Sequence, residues 1–140
     1  MLRFKIQNSI IMLNVYFSKL LKLYGNGLGE IQFGKAFKAL NVPREDAVIT
    51  TKIFWQSFGT TNPNAVGTSR KHVIEGTKNC LKRLQLDYVD IIYCHRFDED
   101  TPIEETVRAM NYVIEKGWAL YWGTSEWSAA QIFETFAICE

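Results

Sequence analysis

Cysteine is scarce in this chain, and neither sign of charge prevails. The three cysteines, Cys80, Cys94 and Cys139, are odd in number, with spacing that is neither C-x-x-C nor zinc-like. That excludes a disulfide framework and a structural zinc site, and it fits free thiols in a reducing compartment. No uninterrupted apolar run approaches the ~20 residues of a membrane-spanning helix. The net charge of +1 gives no electrostatic case for nucleic acid. Charged residues make up 22% and apolar residues 47% of the 140 residues, which argues against disorder and for one globular domain with a core.

The charge is unevenly spread. Residues 1–23 carry Arg3, Lys5, Lys19 and Lys22 with no acid, whereas residues 24–140 hold 12 basic and 15 acidic side chains. The basic, apolar N-terminal segment matches an amphipathic surface helix, a transit peptide or an ordinary element of the domain, and the pattern favours none of the three.

Beyond it the chain alternates. Tyr24-Gly25-Asn26-Gly27 reads as a turn. Residues 29–40 read as a helix, with Ile31, Phe33, Ala36, Phe37 and Leu40 on one face. The run VITTKIFW (48–55) reads as a buried strand and organises the rest, because it holds a single lysine, Lys52, among β-branched and aromatic residues. Residues 56–67 form a polar loop of a length that is usually functional beside a site. Ser69 is placed to cap a helix running to about Leu84, with Val73, Ile74, Thr77, Leu81 and Leu84 inward. DYVDIIYC (87–94) is the next strand. Thr101-Pro102-Ile103-Glu104 reads as a capping box with proline at the first helical position. Val107, Met110, Val113 and Ile114 then face inward up to Gly117. ALYWGT (119–124) is a third strand, and Ser128 caps a last helix. This order implies right-handed βαβ units and a parallel sheet, either open and doubly wound or part of a (β/α)8 barrel. A whole barrel takes about 250 residues, so a barrel would be about half present.

Three strands end in residues suited to chemistry: Lys52, then Cys94-His95-Arg96, then Thr124-Ser125-Glu126. Neighbours along a strand point to opposite faces, so Cys94 does not share a site with His95. Lys52 beside Tyr24 would favour the phenolate and lower a pKa that is otherwise near ~10. His95 would orient a carbonyl oxygen or relay a proton. Such a trio protonates a carbonyl while a nicotinamide cofactor supplies hydride, and Ser125 would hold the carboxamide of that ring. Each residue also has a plain structural role to weigh against this: a turn tyrosine, a strand-end histidine, a turn serine.

The segments YGNG…FGKA (24–36), TTKIFW (50–55), SRKHVIEGTKNCLKRLQLDYVDIIYCHR (69–96) and DTPIEETVRAMNYVIEKGWALYWGTSEWSAAQI (100–132) closely resemble aldo-keto reductases, in the branch of the voltage-gated potassium channel beta subunits and their plant and microbial relatives. The resemblance implies a (β/α)8 TIM barrel, only about half of it present, roughly strands 2–5 with their helices. It implies NADPH as cofactor and a small carbonyl substrate. It assigns Tyr24 as the proton donor, Lys52 as the lysine that acidifies it and His95 as the third catalytic residue. Ser125 and Glu126 fall at the nicotinamide end of the cofactor, Trp55 falls in the substrate pocket, and no metal is implied. Many animal channel subunits carry asparagine where His95 stands, so histidine is closer to the enzyme-like relatives.

Two departures follow. The family writes Phe-Phe-Asp-Thr-Ala-Glu-Val before the tyrosine, and the aspartate position, five residues upstream, is Lys19. A second ammonium near Lys52 would repel it and remove its partner. Codons for residues 16–23 read out of register can spell Phe-Phe-Glu-Thr-Ala-Glu-Val, so residues 1–23 are read as an aberrant, frameshifted segment and 24–140 as the partial barrel domain. The second departure is length. With only part of a barrel, sheet edges and an apolar inner face would be exposed, and the chain is expected to aggregate or fold poorly. Three readings stand: a cytoplasmic reductase of aldehydes and ketones, a potassium channel beta-type regulatory subunit that senses cofactor redox state and forms a homotetramer at full length, or an inactive fragment.

Overall fold

The computed structural model describes residues 27–55 and 62–139. Among these residues the elements run α1 (Leu28–Ala39), β1 (Thr50–Ile53), α2 (Arg70–Leu84), β2 (Val89–Cys94), α3 (Ile103–Glu115), β3 (Ala119–Thr124) and α4 (Ala129–Cys139). Short 3₁₀ turns at Arg44–Asp46 and Pro63–Ala65 precede β1 and α2.

The strands pair in chain order, β1-β2-β3, all parallel. Helices cover one face of this sheet. Thr51 of β1 bonds to Glu30 of α1, Ile53 packs against Gly76 of α2, and Trp122 of β3 donates to Asn111 of α3 at 3.1 Å. An open doubly wound sheet reverses its strand order and carries helices on both faces. Sequential order with helices on one side is the geometry of a barrel wall, and it settles the alternative that the pattern left open.

The core lies between the sheet and the helices. Ile53, Ile92 and Cys94 from the strands meet Val73, Leu81 and Leu84 of α2 and Met110 and Val113 of α3, all buried. Burying each aliphatic side chain of this kind stabilises the fold by about 1.5–3 kcal/mol. The N-terminal end of the sheet is closed by Arg44, which ion-pairs with Asp90 at 2.7 Å and donates to the carbonyls of Ala47 and Tyr88. Asp90 also accepts from the Ile49 amide at 2.7 Å, so it ties the approach to β1 onto β2.

Helix ends follow the expected chemistry with one exception. Ser69 accepts from the His72 amide. Ser128 and Gln131 bond reciprocally, side chain to amide in both directions. Gly117, at φ 69°, ends α3 with its own amide on the Ile114 carbonyl and that of Trp118 on Val113, a left-handed cap that glycine adopts without steric cost. The exception is the capping box at residue 101. Pro102 is the N-cap of α3 and has no side-chain oxygen to cap with; Thr101 lies one residue before the cap position, and its hydroxyl donates to Asp98 at 2.8 Å.

Other expectations shift by a few residues. The first strand is limited to Thr50–Ile53, with Val48 and Trp55 exposed beyond its ends. In α1 the inward residues are Glu30 and Gly34, flanked by the stacked Phe33 and Phe37, while Leu40 is 74% exposed just past the last turn. In α2, His72 and Cys80 join the buried set and Ile74 is half-buried.

Candidate active site

Paired residues of a parallel sheet project to the same side, and alternate residues along a strand to opposite sides. Thr51 and Ile53 face the helices, so Lys52 faces the other way. Its register partner on β2 is Tyr93, whose own partner on β3 is Gly123. The next positions of the same parity are His95 and Ser125, one residue past the end of each strand. The His95 amide donates to the Ile53 carbonyl at 2.9 Å, and the Ser125 amide to the Cys94 carbonyl at 3.0 Å, so the ladder continues through both residues. Lys52, His95 and Ser125 therefore stand on the inner face of the wall at its C-terminal rim, the end at which barrel sites are built. Cys94 points to the helices and is fully buried, as its parity requires.

His95 is 5% exposed, whereas Lys52 and Ser125 are half-buried. The Lys52 ammonium lies 5.9 Å from the centroid of the Tyr93 ring. That ring leans over Gly123, where a Cβ would come within 3.1 Å of it. Tyr93 was not singled out from sequence, although its spacing of two from His95 on a strand is enough to put both on one face. Gly123 leaves the space that the ring occupies, since a Cβ there would press on it.

Around the rim, Arg96 donates to the His95 carbonyl at 2.8 Å and reaches the Glu126 carboxylate at 3.3 Å. Glu126 sits in the left-handed region, φ 58°, as β3 turns out of the sheet. Trp127 is buried edge-on against Phe97 at 5.0 Å, which joins the loops after β2 and β3. Asp98 accepts from the amides of Thr68 and Asp100 and from the Thr101 hydroxyl. Burial alone would raise its pKa, but these donors outweigh burial and hold the carboxyl below the ordinary value of 3.8. Asp98 thereby clamps the loop after β1 to the loop after β2.

Trp55 is 47% exposed and meets Phe54 edge-on at 4.7 Å. It lines a cleft of about 250 Å³ beside α2, with His72, Glu75, Asn79 and Arg83 on the other wall. Tyr24, Lys19 and the rest of the segment 1–23 lie outside the described residues, as do residues 56–61 of the loop after β1. Among the described residues no cluster of three or more His, Cys, Asp or Glu is placed to hold a metal, and no helix is long and apolar enough to cross a membrane.

A wall of parallel strands backed by helices, with lysine, histidine and serine on its inner face at one rim, is part of a (β/α)8 barrel with its candidate site at the strands' C-terminal ends. A sequence model of the aldo/keto reductase family matches residues 14–135, and the chain belongs to that family. Over 119 residues it is 60% identical to a protein of Arabidopsis thaliana named "Probable voltage-gated potassium channel subunit beta", covering 85% of this chain and 35% of that relative. A protein of the same name from Oryza sativa subsp. japonica is 54% identical over 117 residues, covering 84% of this chain and 35% of the relative. Among solved structures, the thermostable aldo-keto reductase Tm1743, in complex with the inhibitor epalrestat, superposes with a TM-score of 0.71 at 31% identity, covering 84% of this chain and 38% of that one. The chain thus spans about a third of the length of the curated relatives it matches.

Proposed function

We propose that this chain is part of a cytoplasmic, NADPH-dependent reductase of aldehydes and ketones. The observation that carries the reading is the shared inner-face parity of Lys52, His95 and Ser125 at one rim, in a chain of the aldo/keto reductase family. The donor set suits a nicotinamide. The half-buried Ser125 hydroxyl has no hydrogen-bond partner among the described residues and is matched to a carboxamide, with Glu126 beside it. The cofactor supplies a hydride when bound. Tyr24 gives its proton to the carbonyl oxygen, the Lys52 ammonium favours the resulting phenolate, and His95 orients the oxygen between them. The family resemblance assigns Trp55 to the substrate wall, although the cleft it lines here runs along α2, on the helix side of β1 rather than on the Lys52 face.

The test is aldehyde-dependent oxidation of NADPH by this chain and by its Tyr24→Phe variant. A positioned general acid contributes about 10²–10⁴-fold, so the variant should lose most of the turnover. Equal rates in the two proteins would remove Tyr24 as the acid. Absence of turnover in both would favour an inactive fragment.

The names of the plant relatives favour a second reading, a beta-type regulatory subunit of a voltage-gated potassium channel; the family resemblance adds to it the sensing of cofactor redox state and a homotetramer at full length. Co-purification of a channel protein with the full-length product, unaffected by Tyr24→Phe, would support it. Both readings take residues 24–140 as the barrel domain and residues 1–23 as translated out of register, which puts Lys19 where the family has an acid. Sequencing the transcript through codons 1–24 decides that point: an acidic codon five before Tyr24 restores the site, and Lys19 confirmed weakens it.

A further inference from the structure

The sheet register sets one aromatic ring between the lysine of β1 and the bare backbone of β3. Lys52 pairs with Tyr93 and Tyr93 with Gly123, so the three positions form one row across the inner face. The Lys52 ammonium stands over the Tyr93 ring, 5.9 Å from its centroid, within the ~6 Å over which a ring face attracts a cation. Both side chains are half-buried. On the far side of the ring, a Cβ at Gly123 would lie 3.1 Å from its Cε1 and 3.2 Å from its Cδ1. His95 and Ser125 occupy the next row toward the rim, so the ring lies one row below them.

A lysine stem is long and turns about several bonds, so its ammonium needs a hold if it is to serve one place. A carboxylate at position 93 would supply one, but it would neutralise the charge and take up N–H donors. A ring face attracts the cation through its quadrupole and takes up no donor. The plainer role for Tyr93 is to fill the inner wall, as aromatic residues commonly do in strands. An aliphatic side chain would fill it too, without attracting the ammonium. The two roles therefore differ in whether the ring itself matters.

We propose that Tyr93 is a positioning residue that holds the Lys52 ammonium over its ring, beside the row that His95 and Ser125 occupy. The proposal rests on the reading of Lys52 as part of a carbonyl-reducing site. Tyr93 touches no reacting atom in it and acts through Lys52. Gly123 is the matching half of the arrangement, because a side chain there would press on the ring.

The test is the rate of trace acetylation of Lys52 in the full chain, read peptide by peptide by mass spectrometry against the exposed Lys35, Lys38 and Lys82. Acylation needs the unprotonated amine and an open approach, and an ammonium held on a ring offers neither. Tyr93→Leu should speed Lys52 about 3-fold or more relative to the exposed lysines, whereas Tyr93→Phe, which keeps the ring, should leave it slow. A merely structural role predicts that the ratio follows melting temperature across the variants; the proposal predicts that it follows the ring. An unchanged ratio in folded Tyr93→Leu overturns the proposal. So does a Tyr93→Met variant that reacts as slowly as wild type, since bulk without a ring would then suffice, and this variant decides if Tyr93→Leu unfolds. Steady-state kinetics give a second readout. Tyr93→Leu should lower kcat for aldehyde reduction by about 3-fold or more with KM little changed, and Tyr93→Phe should recover most of it. A changed labelling ratio with an unchanged kcat overturns the positioning role. A wild type without turnover removes the carbonyl-reductase reading, and the labelling ratio then still decides whether Tyr93 holds the ammonium.

Discussion

Gly34 of α1 and Leu84 of α2 meet main chain to main chain: a Cβ at Gly34 would stand 2.3 Å from the Leu84 carbonyl oxygen and 2.6 Å from its carbon. Backbone cannot yield as the tip of a flexible side chain does. Gly34→Ala should therefore separate the two helices and destabilise the fold by about 1–3 kcal/mol, despite alanine's better helix propensity. Urea denaturation checks this, and a variant as stable as wild type would contradict the close approach.

Asp98 makes a pH-dependent contribution to stability. Its folded pKa is lowered, so the stabilisation is fully present above the ordinary value of 3.8 and is lost as pH falls through the lower folded value. Asp98→Asn should flatten the acid limb of the stability profile below about pH 4 while costing stability at pH 7. The partner residue Gly67, at φ 85°, admits no Cβ, which would sit 2.3 Å from Asp98 Oδ2. Gly67→Ala should mimic the loss at pH 7, read by thermal melting.

Arg44 serves three acceptors with one planar group and stacks 4.0 Å from the centroid of the Tyr88 ring. A lysine keeps the charge but not the fork. Arg44→Lys should cost about 1–3 kcal/mol and loosen the N-terminal end of the sheet, seen as faster amide exchange at Ile49, whose amide bonds to Asp90.

The inner face and the helical edge carry apolar surface that the described residues leave open: Tyr121 is 68%, Phe133 76% and Phe136 67% exposed. The chain alone should self-associate with rising concentration, and the double substitution Phe133→Glu, Phe136→Lys should reduce that without lowering the melting temperature. Sedimentation velocity measures it. A wild-type monomer with a sharp cooperative transition would contradict the expectation.

Much of this architecture is written locally. The β-branched runs at Thr50, Val89 and Ala119, the serine caps at 69 and 128 and the glycine stop at 117 depend on a few adjacent residues. Such signals survive without tertiary context, which is why the alternation of strands and helices, and the parity that groups Lys52, His95 and Ser125, were legible from spacing alone. The motifs also carried the family.

Tertiary structure decided what spacing cannot express. Whether helices cover one face of the sheet or both depends on packing between elements far apart in the chain, so spacing alone left the open sheet and the barrel both standing; the family resemblance implied the barrel, and the packing shows its wall. The capping box at Thr101 failed because the helix starts one residue later than the motif requires, with Pro102 at the cap position, and the Thr101 hydroxyl donates instead to Asp98. Glu30 reads as a surface residue of a helix until Thr51 and Arg83, 21 and 53 residues away, converge on it. Local sequence sets which conformation a segment prefers; the partner of a buried polar group is set by whichever distant segment the fold brings within bonding distance.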